Sequence, residues 1–159
     1  VIRGARSALA ALALSATALV GLVSHEGYKA TAYIPVPGDV PTLGYGTTTG
    51  VKLGDRTDPI AALQAALLDV NRFEGALKQC VNAPLYQHEY DAFISLSYNI
   101  GSGAFCKSTL VKKLNAGDYA GACAEISNWV YFKGKKLNGL VARRAKERAM
   151  CEGKADGKA

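Results

Sequence analysis

Residues 25–47 read HEGYKATAYIPVPGDVPTLGYGT, and this stretch decides the fold. Pro35, Pro37, Gly38, Pro41, Gly44 and Gly46 fall too densely for a helix. Proline removes an amide donor, and glycine makes helical order costly. Gly, Pro, Tyr and Thr dominate as far as Val51, the composition of short strands and tight turns. The flanks differ. Upstream, residues 7–24 form an uncharged run rich in Ala and Leu. Beyond Asp58-Pro59 the apolar residues Ile60, Leu63, Ala66, Leu67, Val70 and Phe73 recur at helical spacing and make one expected face. Further helical patterns cover residues 87–99, 109–115, 119–129 and 140–151. Ser108 and Asp118 are expected N-caps, and Asn115-Ala116-Gly117 is an expected stop. A small β region followed by helices describes a two-lobed α+β fold with an N-terminal helix. The cleft of such a fold is where a long polymer would lie.

A chain of 159 residues suffices for one domain with a real core. Its net charge of +6 suits an acidic partner: nucleic acid, acidic membrane or acidic glycan. No compact Lys/Arg run with interleaved aromatics is present, so nucleic acid is not expected. The plain alternative is a solvated basic surface. Cys80, Cys106, Cys123 and Cys151 form no C-x-x-C pair, and His25 and His88 lack zinc-site spacing, so no metal is expected. In an exported chain these cysteines imply two disulfides, with three pairings open; in the cytosol they would be reduced thiols.

Arg3 and Arg6 precede the uncharged run, the pattern of an export signal. The run is shorter than the roughly 20 residues of a stable span, and Ala, Ser, Thr and Gly dilute its hydrophobicity. Three readings follow: a signal cleaved near Ala16-Thr17-Ala18, a permanent anchor, or a segment that enters the membrane and leaves it. The third fits the weak hydrophobicity best. It divides the chain into residues 1–24 and a catalytic domain of residues 25–159. Val1 stands where a methionine would, which implies preceding native residues or a non-standard start codon.

Glu26 falls where the Ala-rich helical pattern ends and the Gly-rich region begins. The negative end of a helix dipole and partial burial both favour the protonated acid, as a general acid requires. Asp39 and Thr42 lie just downstream, a carboxylate and a hydroxyl able to place a water. Unaided, Asp39 reads as a turn residue bonding its own backbone.

The motifs Glu26-Gly27, Tyr33, Asp39 and Thr42-Leu43-Gly44-Tyr45-Gly46 resemble those of phage-type lysozymes, glycoside hydrolase family 24. So do Tyr98-Asn99-Ile100-Gly101, Phe105-Cys106-Lys107-Ser108-Thr109-Leu110, Trp129 and Gly139-Leu140-Val141-Ala142-Arg143-Arg144. Two departures stand out. The family places its Asp two residues after the Tyr, where this chain has Pro35, and often has His where this chain has Thr47. The resemblance implies cleavage of the β-1,4 bond between N-acetylmuramic acid and N-acetylglucosamine in peptidoglycan, by a monomer without cofactor. Glu26 would be the acid, with Asp39 and Thr42 placing water. The stereochemical outcome would follow the carboxyl separation, about 6.5–9.5 Å for inversion and about 5 Å for retention. Asn99, Trp129 and Arg143 would contact substrate, although core packing also accounts for Trp129. Arg143 and Arg144 read equally as partners of Glu26 or as a solvated helix face. The N-terminal run resembles the signal-arrest-release segment of some phage endolysins, which implies transient inner-membrane tethering, release into the host periplasm and lysis. A lytic transglycosylase and an inactive wall-binding protein are the alternatives.

Overall fold

The computed structural model describes residues 4–154, so Arg3 of the basic flank and residues 155–159 lie outside the described residues. Two compact units emerge: Leu19–Arg72, and the described residues up to Ala18 together with those from Phe73 onward. The divisions fall inside helix α1 (Ala16–Glu26) and helix α2 (Pro59–Cys80).

In the first unit, α1 stops because Gly27 takes φ +69° and donates its N–H to the Val23 carbonyl at 3.0 Å. Strands β1 (Lys29–Tyr33) and β2 (Thr42–Gly44) then pair antiparallel, Lys29 opposite Gly44 and Tyr33 opposite Thr42, with a register shift between. Asp58 caps α2, its Oδ1 accepting from the amides of Ile60 and Ala61 at 2.9 Å each. Pro59 occupies the first helical position, where no amide donor is needed.

The α2 face differs from the expected one. Ala66 and Val70 are buried as expected, but alongside Ala62 and Leu77, while Ile60 is 73% exposed and Leu63 and Leu67 are also exposed. The sequence offers two apolar stripes, and backbone approach chooses between them. A Cβ added at Gly44 would lie 2.8 Å from the Ala62 Cβ, a gap that admits Ala and excludes Leu or Ile.

In the second unit, the N-terminal residues are not one helix. Ser7 and Leu85 exchange both backbone hydrogen bonds, at 2.8 and 2.9 Å, and a 3-10 turn follows at Leu9–Ala11. Buried carboxylates then take the amides that would otherwise extend α1 backwards. Glu74 accepts from the Leu14 N–H at 2.6 Å, and Asp91 accepts from the Ser15 N–H at 3.0 Å and hydroxyl at 2.7 Å. The Ser15 hydroxyl accepts from the Ala18 amide at 3.1 Å, so α1 begins at Ala16 with a serine cap. Arg6 pairs with Glu89 at 2.7 Å and stacks on Tyr119, 3.5 Å from its ring centre. The hydrogen bonds that Arg6 donates to the Glu89 carboxylate hold its guanidinium above its ordinary pKa.

Helix α3 (Gln87–Ile100) is buried at every residue from Glu89 to Ser97, so it is the core around which this unit is built. Helices α4 (Ser102–Lys107), α5 (Thr109–Asn115) and α6 (Tyr119–Glu125) follow. Ser108 caps α5 through Val111 at 3.2 Å and Asp118 caps α6 through Gly121 at 2.8 Å, as expected. Helix α4 was not anticipated, and the expected helix over residues 119–129 gives way after Glu125 to a 3-10 turn at Ile126–Asn128. Strands β3 (Tyr131–Phe132) and β4 (Lys135–Lys136) form an unanticipated hairpin, its turn made by Lys133 and Gly134 at positive φ. Helix α7 (Asn138–Cys151) packs along α3. Of the three disulfide pairings open to the sequence, the structure has Cys80–Cys106 and Cys123–Cys151. By loop-closure entropy each constrains the unfolded chain by about 3.5 kcal/mol.

Candidate active site

Glu26 is the last residue of α1 and is half-buried. Backbone approaches its carboxyl closely. Leu43 and Thr47 exchange two main-chain hydrogen bonds, at 2.9 and 3.0 Å, and close a tight loop around Gly44-Tyr45-Gly46. A Cβ at Gly46 would stand 3.1 Å from Glu26 Oε2, and Gly46 has φ +89°. Both the close approach and the left-handed backbone demand glycine there. The Gly-x-Gly pattern thus has two separate causes: Gly44 lets the loop meet α2, and Gly46 lets it meet the acid.

The loop is held down through a pair that the sequence did not single out. The Thr47 hydroxyl donates to Asp69 Oδ2 at 2.7 Å, and Arg72 donates to Asp69 Oδ1 at 2.6 Å and to the Thr49 hydroxyl at 2.8 Å. Asp69 is buried, and its charge is met by Arg72 one helical turn on. Thr47 stands where the resemblance led us to expect His, and here its hydroxyl ties the loop to α2. The one visible signal was an Asp and an Arg three apart on a helix.

Thr42 lies on β2 and is 7% exposed, with its hydroxyl donating to the Val40 carbonyl at 3.2 Å. With its proton so engaged, the oxygen still has lone-pair capacity. Asp39 sits half-buried in the loop between β1 and β2. Its amide donates to Val36 O at 3.0 Å and its Oδ1 accepts from the Val40 amide at 2.9 Å. This is the turn role that the sequence allowed. Oδ2 has no hydrogen-bond partner among the described residues. Glu26, Asp39 and Thr42 all belong to the Leu19–Arg72 unit.

The other candidates lie in the helical unit, on or near α7. Arg143 and Arg144 are 8% and 1% exposed, so the solvated-face reading of them fails. They share Glu147: Arg143 Nε donates to Oε1 at 3.1 Å, and Arg144 Nη1 donates to Oε2. Ser95 adds its hydroxyl to Oε1 at 2.7 Å. Arg144 also donates Nε to the Trp129 carbonyl at 2.9 Å and Nη2 to Asn99 Oδ1. Trp129 is half-buried and enters this cluster through its main chain. Asn99, at the exposed end of α3, is the member that faces solvent. Ser95 and Glu147 were missed as members of this network, because a Glu four residues after an Arg on a helix reads as an ordinary surface pair.

The phage lysozyme family model matches residues 23–147. The chain is 41% identical over 143 residues to an endolysin of Acyrthosiphon pisum secondary endosymbiont phage 1, covering 87% of this chain and 97% of that one. It is 38% identical over 140 residues to a SAR-endolysin of Pseudomonas phage phiKMV, covering 86% of each. Among solved structures it resembles the muramidase domain of SpmX from Asticaccaulis excentricus with a TM-score of 0.80. There the identity is 28%, and the match covers 88% of this chain and 97% of that one.

Proposed function

Because the chain belongs to the phage lysozyme family and is an endolysin, a muramidase acting on peptidoglycan, we propose that Glu26 is the acid of that hydrolysis. The observation that carries this reading is the carboxyl at the end of α1 resting on a backbone that only glycine permits. Glu26 protonates the glycosidic oxygen as the bond to the leaving sugar breaks. The engaged Thr42 proton leaves the hydroxyl oxygen to accept a hydrogen bond from a water, and Asp39 Oδ2 takes the proton that this water gives up. Asn99 and Trp129 meet the glycan, and Arg143 supports them through Glu147. Glu26→Gln keeps the shape and removes the donated proton, so it should fold as wild type and lose at least about 10²-fold in wall hydrolysis. Product analysis of the wild type should show reducing ends. A Glu26→Gln enzyme retaining a tenth of the rate places the acid elsewhere, and anhydro-sugar products exclude a water-placing role for Asp39.

The enzyme acts in phage lysis, at the periplasmic wall. Residues 7–24, we infer further, first engage the inner membrane and afterwards dock. The support is the uncharged run and the SAR-endolysins to which the chain is similar, from phage phiKMV and, at 31% identity, phage P21. No helix among the described residues is long and apolar enough to cross a membrane, so the membrane form would have to convert the Ser7–Leu85 pairing and the Glu74 and Asp91 contacts into helix. Ala11, Ala16 and Gly21 are exposed in the docked form, so changing all three to Leu raises membrane affinity without touching the core. That variant should sediment with membranes and delay lysis. Release and lysis at the wild-type rate would mean that the segment is never a membrane anchor.

A further inference from the structure

We propose that Arg144 makes Asn99 a one-way hydrogen-bond donor, and that this donor selects the acetamido carbonyl oxygen of the glycan. The inference rests on the reading above that Asn99 meets the substrate.

An asparagine amide has two faces, one accepting and one donating, and an unconstrained side chain turns either toward a ligand. Here the choice is made chemically. A guanidinium has five donors and no acceptor, so the atom that Arg144 Nη2 meets on Asn99 has to be Oδ1. Arg144 cannot swing aside to release it, because Glu147 binds Nη1 and the Trp129 carbonyl binds Nε, and the side chain is 1% exposed. All three nitrogens of the guanidinium are therefore committed. Glu147 is fixed in its turn by Ser95 and Arg143. What Asn99 offers to solvent is Nδ2, which has no hydrogen-bond partner among the described residues.

A pure donor is met by any acceptor along the glycan, and most consistently by a group that only accepts. Sugar hydroxyls both donate and accept, so they accommodate either face of an amide. The acetamido carbonyl oxygen, repeated on every sugar of the strand, only accepts, and it matches Nδ2. Arg144 is then a positioning residue for specificity, acting through Asn99.

Asn99→Asp is the informative variant, since it is isosteric and keeps an oxygen for Arg144 while reversing the outward group from donor to acceptor. Wild type, Asn99→Ala and Asn99→Asp are to be compared on intact peptidoglycan and on the same wall after chemical N-deacetylation. On the intact wall Asn99→Ala should raise KM about fivefold and Asn99→Asp about tenfold or more, the loss falling on KM rather than kcat. On the deacetylated wall, which presents ammonium donors, Asn99→Asp should match or exceed the wild type. Arg144→Lys retains a donor for Oδ1 and should keep the preference for the acetylated wall. Arg144→Gln, which lets the amide turn, should lose it. If Asn99→Ala leaves KM unchanged on both walls, Asn99 does not meet the substrate and the inference falls with it. If Asn99→Ala raises KM while Asn99→Asp does not, Asn99 meets the substrate as an acceptor, and the inference falls while the site reading stands. Should Arg144→Gln fail to fold, the Ala and Asp variants decide the question alone.

Discussion

Main chain lies close against Glu26: a helix end, a two-bond loop closure and a glycine at positive φ. Asn99 is positioned by side chains, a buried Arg144 held by Glu147, which Ser95 and Arg143 hold in turn. The first arrangement tolerates little change of shape. The second tolerates changes of shape poorly as well, but its real exposure is to changes of charge. Both guanidinium groups and the Glu147 carboxylate lie in a site almost closed to water. Such a site is acceptable only while each charge has its hydrogen bonds, because desolvation of an unmet ion costs several kcal/mol. Backbone lies against the proposed acid, and an ionic network positions the group that would read the substrate.

The sharpest way to break this contrast is to remove one charge from the network. Glu147→Gln conserves volume and removes the buried charge that Arg143 and Arg144 share. Truncating one member of a buried pair typically costs 3–5 kcal/mol, a large part of the 5–15 kcal/mol that holds a domain folded. Denaturant unfolding should therefore show a loss of about 3–5 kcal/mol. A loss under about 1 kcal/mol would mean that the Glu147 charge is not what holds the two arginines in place. The half-exposed surface pair of Arg148 and Glu152 is the internal control, since surface pairs contribute about 0–1 kcal/mol.

The same contrast explains which parts could be read from the sequence. Turn chemistry is local, so Gly27, Pro59 and the caps Ser108 and Asp118 took the places that their residue types require. The Glu26 loop was legible for the same reason, because Gly44-Tyr45-Gly46 states its backbone geometry in its own residues. Long-range choices were not legible. Ile60, Leu63 and Leu67 satisfy helical periodicity as well as Ala62 and Val70 do, and only the approach of Gly44 decides which stripe is covered. Arg143-Arg144 has the look of a wet surface, and nothing local announces that Glu147 and Ser95 bury it. The hairpin of Tyr131–Phe132 and Lys135–Lys136 escaped because its strands are two residues long and its turn begins with Lys133 rather than Asn or Asp.

A smaller change tests the backbone half of the contrast. Gly46→Ala adds one carbon to a position with φ +89°, where an L-residue is strained by about 1–2 kcal/mol. That carbon would stand 3.1 Å from Glu26 Oε2, closer than ordinary contact, so the acid must move by a few tenths of an ångström or the loop must open. Glu26 is a side chain at a helix end and yields more readily than a loop closed by two main-chain bonds and tied through Thr47 to Asp69. The cost should therefore appear in catalysis beyond what stability explains. Small displacements of a reacting group can cost about 10²-fold in rate, and a loss of that order in kcat is expected. KM should stay near wild type, because Asn99 and its network lie in the other unit. Gly44→Ala adds the same carbon against Ala62 instead of Glu26, so it should destabilise the fold at least as much and lower kcat less. Equal losses of kcat in the two variants would show that the acid depends on the loop as a whole, and that the contact at Gly46 has no special part in placing it.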